Sequence, residues 1–271
     1  MSENAKNAPL SGATRLYAIV GDPVTQVKSP DGVTASLRAR GHDAVLIPAQ
    51  VAPEHLTLFF DAATQLKNLD GLVITVPHKF ASYRYCRSAS ERSSFLGAVN
   101  VMRRRKEGGW YGDHIDGEGF VGAARKHGRD PKGERALLVG AGGAGSAIAL
   151  ALVNAGVVEL AIHDADAERR DSLIARLNSL GRARVFAGSP DPTGFTFVGN
   201  ATPAGMRPDD PLPIEVEKLS PTAYVGCVVT APPVTPLIAA ARARGCTTGV
   251  GGEMYQALQE AMIDFMFEAR P

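Results

Sequence analysis

RALLVGAGGAGSAIALALVNAG, residues 135–156, sets the fold. An apolar stretch of strand character, 136–139, runs into the glycine cluster 140–145, and a small-residue helical pattern follows. A dinucleotide pyrophosphate needs that order. Gly140 permits the tight turn, Gly142 lets backbone approach phosphate, and Gly145 allows the helix to pack closely on the strand. Ala141, Gly143 and Ala144 complete the phosphate-facing turn, where a helix N-terminus offers unpaired N–H groups and the positive end of its dipole. Residues 157–163 read as the next strand, and Asp164 ends it. It lies about two dozen residues past Gly140, close to the roughly 20 expected for the carboxylate that accepts a ribose 2′-hydroxyl. A carboxylate there repels a 2′-phosphate. Ala165, Asp166 and Ala167 follow it, then Glu168, Arg169 and Arg170. The reading is NAD in preference to NADP, with a surface-loop aspartate as the competing reading of Asp164.

Composition narrows the field. A chain of 271 residues can bury a sizeable core in one large or two ordinary domains. Lys and Arg total 29 against 28 Asp and Glu, so no global charge points to nucleic acid or membrane. The basic run Arg103-Arg104-Arg105-Lys106 precedes Glu107-Gly108-Gly109 and reads as a solvated hairpin end. Cys86, Cys227 and Cys246 show no CxxC spacing, so neither a disulfide framework nor a metal site is expected. Apolar stretches break well short of the ~20 residues that span a bilayer, and residues 1–13 lack a signal-peptide core. The expectation is a soluble cytoplasmic protein with a short disordered N-terminus.

Strands and helices alternate along the chain, which predicts an α/β protein. Strands are expected at 16–20, 44–48 and 71–76, the last stopped by Pro77, with helices at 30–40 and 54–65. A hairpin follows around Gly108-Gly109. A second alternation opens near Asp116, with a helix at 118–126, then the glycine motif. Strands at 184–187, 197–200 and 223–229 come next, with helices at 235–244 and 253–267. The nucleotide motif lies mid-chain, so the block of about 115 residues before it is a candidate substrate domain.

Two segments of that block carry chemistry. Ile74-Thr75-Val76-Pro77-His78-Lys79 is a strand ended by proline with a lysine just beyond, and Gly112-Asp113-His114-Ile115-Asp116-Gly117 joins the two blocks. A lysine and a carboxylate facing a nicotinamide can move a proton while a hydride moves. An ordinary lysine, with a pKa of about 10.4, is a poor base at neutral pH, so a pocket or a neighbouring aspartate must help. Spacing alone favours a surface Lys79 and a turn-forming Asp116 over that chemistry. His78 and His114 have no third ligand spaced with them and read as structural, and Cys227 reads as a small core residue.

The chain resembles the shikimate dehydrogenase family over nearly its whole length. The matching segments are Val27-Lys28-Ser29-Pro30, Thr75-Val76-Pro77-His78-Lys79, Gly97-Ala98-Val99-Asn100, Gly112 to Gly117, the glycine cluster, and Asn200-Ala201-Thr202-Pro203-Ala204-Gly205-Met206. The resemblance implies an N-terminal α/β substrate domain, a Rossmann dinucleotide-binding domain, and a C-terminal helix returning to the first domain. The boundaries expected are 1–115 plus 249–271 for the first and 116–248 for the second. It makes Lys79 and Asp116 the catalytic pair. Ser29, Thr75 and Asn100 match substrate-binding positions, and Asn200, Ala201 and Thr202 match a segment beside the nicotinamide.

The departures are as specific. Val27 stands where the family has Ser, Val73 where it has Asn, His78 where it has Phe, Ile115 where it has Thr, and Thr230 where it has Tyr. Leu258 takes the place of a Gln, with Gln259, the residue assigned here to substrate, one position later. Asp164-Ala165-Asp166 replaces the NADP clamp Asn-Arg-Thr, which agrees with NAD. Each lost partner of a buried polar group costs roughly 1–3 kcal/mol, so the substrate pocket is expected to be more apolar. The resulting expectation is an NAD(P)-dependent alcohol dehydrogenase acting on shikimate, quinate or a related cyclic hydroxy acid, a small-molecule enzyme with a homodimer as its candidate assembly. The alternatives are a divergent member with a less polar substrate and a non-catalytic NAD-binding sensor. The three-glycine spacing and the Lys79/Asp116 pair argue against a third, an S-adenosylmethionine-dependent methyltransferase.

Overall fold

A computed structural model describes residues 9–267. The chain divides into two compact units, one comprising residues up to Ile115 together with those from Gln259 onward, the other running from Asp116 to Leu258.

The first unit is built on β1 (Arg15–Gly21), α1 (Ser29–Ala39), β2 (Ala44–Gln50), α2 (Leu56–Gln65), β3 (Leu69–Ile74), α3 (Lys79–Tyr83), β4 (Cys86–Ala89), α4 (Glu91–Leu96), β5 (Val101–Arg104) and β6 (Trp110–Asp113). Its mixed sheet has the order β2-β1-β3-β5-β6-β4. β1 is parallel to both β2 and β3, and the β5–β6 hairpin is the one anticipated around Gly108-Gly109. Ala18, Val20, Leu72 and Ile74 meet Leu56, Phe60 and Ala63 of α2 in the core. β3 ends at Ile74, two residues short of the expected 76. Beyond it Thr75 N–H still donates to Val20 C=O, and Val76 C=O accepts from Asp22 N–H.

The basic run is a correction. Arg103 is buried, its guanidinium lies over the rings of Tyr111 and Phe265, and it donates to Phe265 C=O at 2.8 Å. Arg104 stacks on Trp110 and donates to the carbonyls of Ala63, Thr64, Leu66 and Leu69. Three of them, Ala63, Thr64 and Leu66, lie at the end of α2, where carbonyls need donors once the helix stops, and Leu69 opens β3. Half of the run is therefore internal wiring, not a solvated face.

The second unit contains α5 (Asp116–Lys126), β7 (Arg135–Val139), α6 (Gly143–Ala155), β8 (Glu159–His163), α7 (Ala167–Asn178), β9 (Arg184–Ala187), β10 (Phe197–Asn200), β11 (Tyr224–Cys227), α8 (Pro236–Ala243) and β12 (Thr247–Gly249), and α9 (Gly251–Phe267) starts in it. The sheet is parallel throughout, in the order β9-β8-β7-β10-β11-β12. This is the doubly wound order that reverses between its first and fourth strands, here β7 and β10, where such sheets bind ligands beyond the strand ends. The chain crosses into the first unit inside α9, after Leu258, and not at 249 as expected. The reason is local packing: Leu258 sits over Gly119 of α5 so closely that a Cβ there would be 2.3 Å away. The first turns of α9 thus belong to the second unit's own core. No helix among the described residues is long and apolar enough to cross a membrane.

Candidate active site

The glycine turn lies at the reversal point of the parallel sheet. Gly140 has φ +104°, a conformation that glycine alone adopts cheaply, and its N–H donates to His163 C=O at the end of β8. Ala201 N–H donates to Val139 C=O, which draws the loop after β10 against the turn after β7. There a Cβ on Gly140 would lie 2.9 Å from the Ala201 carbonyl. Asn200 organises that loop: its Oδ1 accepts from Thr202 N–H and Oγ1, and its Nδ2 faces Ala204 C=O and Cys227 Sγ. Cys227 is buried, in keeping with a core residue. A cavity of about 470 Å³ opens beside this loop against Thr202, Pro203, Ala204 and Met206.

Gly140 to Gly145, Asp164 and Asn200 to Thr202 are thus assembled within one unit. The fit to a pyrophosphate is steric as well as electrostatic. Gly142 precedes α6 with no side-chain cap, and nothing lies within 4 Å of where its Cβ would stand. The first N–H groups of α6 are therefore presented without a competing side chain.

Asp164 is mostly buried and already has partners. Its Oδ2 accepts from Ala141 N–H at 2.6 Å, and its Oδ1 accepts from Asp166 N–H at 2.8 Å and from the Arg169 guanidinium at 2.6 Å. Burial pushes the carboxyl up, but the two backbone donors and Arg169 outweigh it and hold it below its ordinary value. It is therefore an ionised acceptor with lone-pair capacity left on Oδ2. The tie to Arg169 had no signature in the residue order, because only the turn into α7 brings the two together.

In the first unit, β3 delivers Thr75, and Lys79 opens α3. Lys79 is buried at 9% exposure, its C=O accepts from Val99 N–H, and the next residue is Asn100. Asn100 is buried and bonded on three sides: its C=O accepts from Ile74 N–H, its N–H donates to Asp113 C=O, and its Oδ1 accepts from Ile115 N–H at 2.9 Å. Backbone bonds therefore bring Lys79, Asn100 and the 112–115 segment together. Ser29, also buried, starts α1. His78 is buried with Nε2 at 2.7 Å from Val51 C=O, a structural partner of the kind anticipated. Gln259 directs its amide to Gly32 C=O at 3.0 Å and to Ser36 Oγ at 2.7 Å, fastening α9 to α1. Its Oε1 is what it could offer a substrate. Of the residues noted above as departures from the resemblance, Val73, His78, Ile115 and Leu258 are buried.

Asp116, the first residue of α5, is buried in the second unit, where a helix N-terminus favours its carboxylate. Gly117 beside it lets α5 approach α6 so closely that a Cβ would be 2.3 Å from Ala147 C=O.

Asp113 was not singled out in the sequence, yet it anchors the segment leading to Asp116. Its carboxylate accepts from Arg92 Nε at 2.7 Å, Arg92 Nη2 at 2.6 Å, His114 N–H at 2.7 Å and Ser90 Oγ. Burial raises this carboxyl, and those donors more than reverse the effect, so it sits below its ordinary 3.8. The folded chain thus releases this proton more readily than the unfolded chain. The stability contributed is complete above the unfolded value and is lost as pH falls through the lower folded one. Asp113→Asn is therefore expected to lower stability at neutral pH and to flatten its decline below about pH 4. Urea unfolding at both pH values tests this, and parallel declines for variant and parent would refute it.

Comparison with known proteins identifies relatives of the whole chain. Residues 19–102 match the shikimate dehydrogenase substrate binding domain family. The shikimate dehydrogenase (NADP(+)) of Rubrobacter xylanophilus is 37% identical over 250 residues, covering 90% of this chain and 87% of its own. Among solved structures, quinate dehydrogenase from Corynebacterium glutamicum in complex with NAD superposes with a TM-score of 0.84 at 30% identity, covering 95% of each chain. The ligand-free 5-ketofructose reductase of Gluconobacter sp. strain CHM43 gives 0.83 at 28% identity, covering 95% of this chain and 94% of that one.

Proposed function

The chain belongs to the shikimate dehydrogenase family, and from that premise we propose that it is an NAD(P)-dependent oxidoreductase interconverting a ring hydroxyl and a ketone of shikimate, quinate or a related cyclic hydroxy acid. The observation that carries this reading is the burial of Lys79 in a segment bonded to Asn100, in a chain whose glycine turn is shaped for a dinucleotide. When bound, the dinucleotide supplies or takes up the hydride.

The chain's own residues do the rest. Lys79 Nζ gives a proton to the substrate oxygen in reduction and takes it back in oxidation, with Asp116 sharing or positioning that proton. Ser29, Thr75 and Asn100 hold the ring substituents, and Gln259 enters only as an acceptor through Oε1. The N–H groups at the start of α6 hold the pyrophosphate, and Asn200 to Thr202 shape the wall beside the nicotinamide. Asp164 accepts the adenosine ribose hydroxyl. We read the preferred dinucleotide as NAD, although the Rubrobacter and Acidiphilium relatives are named for NADP(+), because Asp164 ends its strand where the motif expects the ribose acceptor, Asp166 lies beside it, and two carboxylates repel a 2′-phosphate.

A second reading is a substrate less polar than shikimate. It is favoured by Val73 and Ile115, which are buried where the family offers polar groups, and by Val27 and Thr230. The test is a panel of shikimate, quinate and less polar cyclic alcohols, each with NAD and with NADP, followed by absorbance of the reduced nicotinamide. Turnover of shikimate or quinate supports the first reading, and turnover of the less polar alcohols alone supports the second. Clear NAD binding with no turnover on any member would sink both and leave a non-catalytic sensor.

A further inference from the structure

The turn from β8 into α7 holds an ion-pair chain that the binding of a dinucleotide does not by itself require. Asp166 caps α7 by accepting from Arg169 N–H at 3.0 Å, and its other oxygen lies 3.7 Å from Arg169 Nη1. The other arm of the same guanidinium, Nη2, is 2.6 Å from Asp164 Oδ1. One arginine is thus held between a buried carboxylate and a half-exposed one, and it is itself about half-exposed. The neighbouring cation, Arg170, bonds instead to Asp171 at 2.7 Å. An anion reaching the ribose end of the site therefore meets two carboxylates and one guanidinium already engaged by both.

We propose that Arg169 is a positioning residue for the ribose-binding carboxylate Asp164, and that the charge of Asp166 beside its second arm sets the discrimination against a phosphorylated ribose. The inference rests on the NAD reading above and deepens it. A 2′-hydroxyl needs an acceptor, and Arg169 holds Asp164 ionised and oriented for that role. A 2′-phosphate needs a fork of N–H donors, and the Asp166 carboxylate stands 3.7 Å from Nη1, the terminal nitrogen of Arg169 that is not on Asp164, where its charge opposes a second anion. Neutralising Asp166 then removes that opposing charge from beside Nη1 without disturbing the Asp164 tie.

Asp166→Asn is the decisive variant, since asparagine caps a helix as well as aspartate does and removes only the charge. Binding of NAD and of NADP to the whole protein, measured by calorimetry at two ionic strengths, reads the result without relying on turnover. The ratio of NADP to NAD affinity is expected to rise about tenfold, with the gain shrinking at the higher ionic strength. Adding Arg169→Gln should cancel the gain. Arg169→Gln alone should weaken NAD binding several-fold, with Arg169→Lys recovering part of the loss, which a merely structural role would not give. Circular dichroism checks that each variant is folded, and Arg169→Lys carries the test if the glutamine variant is not. A ratio in Asp166→Asn within twofold of the parent's, or a gain that survives Arg169→Gln, overturns the proposal. A parent protein that prefers NADP overturns the NAD reading instead, because the proposal is scored on the change in ratio and not on its starting value.

Discussion

Lys79→Ala is expected to lower kcat by about 10²- to 10⁴-fold, the usual span for removing a positioned general acid–base. Binding of the dinucleotide should be little changed, because the glycine turn, Asp164 and Asn200 all lie in the other unit. The local fold should survive as well. Lys79 holds Val99 N–H through its backbone carbonyl, which alanine keeps, and alanine is a good first residue for α3. The comparison with Asp116→Asn separates the two roles. If Lys79 carries the proton and Asp116 shares it, the lysine variant loses more, and the aspartate variant shifts the pH dependence of kcat. Full turnover by Lys79→Ala on whichever substrate the parent accepts would remove the lysine from the mechanism.

Gly145→Ala is expected to be the most damaging single-methyl change in the nucleotide unit. A Cβ there would sit 1.9 Å from Gly140 O and 2.7 Å from Gly140 C. The obstructing atoms are backbone, in a residue at φ +104° whose N–H is tied to His163 C=O, and Ala201 closes the other side at 3.4 Å. Nothing flexible is available to move. Overpacking usually costs 1–3 kcal/mol, and with a rigid obstacle about 3 kcal/mol or more is expected. Thermal unfolding and a calorimetric NAD titration should show a lower transition and at least about tenfold weaker binding. Gly142→Ala is the matched control: it has ordinary extended φ and open space around it, so it should fold normally and weaken only the approach of the pyrophosphate. Equal stability for the two variants would contradict this account.

The same steric facts explain why this part of the molecule was legible in residue order. Gly140 and Gly145 stand where any side chain would collide, so their spacing is a direct record of the turn. Residues 184–187 and 197–200 were readable as β9 and β10 because short apolar runs between turn residues have few other uses in an alternating chain. The stretch from Lys79 to Leu96 was not readable. Its helices and strand are four to six residues long, too short for a period to show, and they are held by partners such as Val99 and Asp113. The basic run was misread for a related reason. Phe265, which covers Arg103, lies 162 residues away, and local charge density carries no record of a distant aromatic ring. At the candidate site, motifs point to Lys79, Asn100 and Asp164, while the ion pairs of Arg92 with Asp113 and of Arg169 with Asp164 form only in the folded chain.

The division of α9 has a consequence for how the protein is made. Asp116 to Leu258 is one uninterrupted stretch, whereas the first unit needs residues from both sides of it. Chains are synthesised from the N-terminus at about 5–20 residues per second, and domains generally fold as units. The nucleotide unit therefore needs no residue made after Leu258. The sheet begun at Arg15 needs Phe265 to cover Arg103, so the half of the molecule that is translated first cannot be completed until the last helix is made.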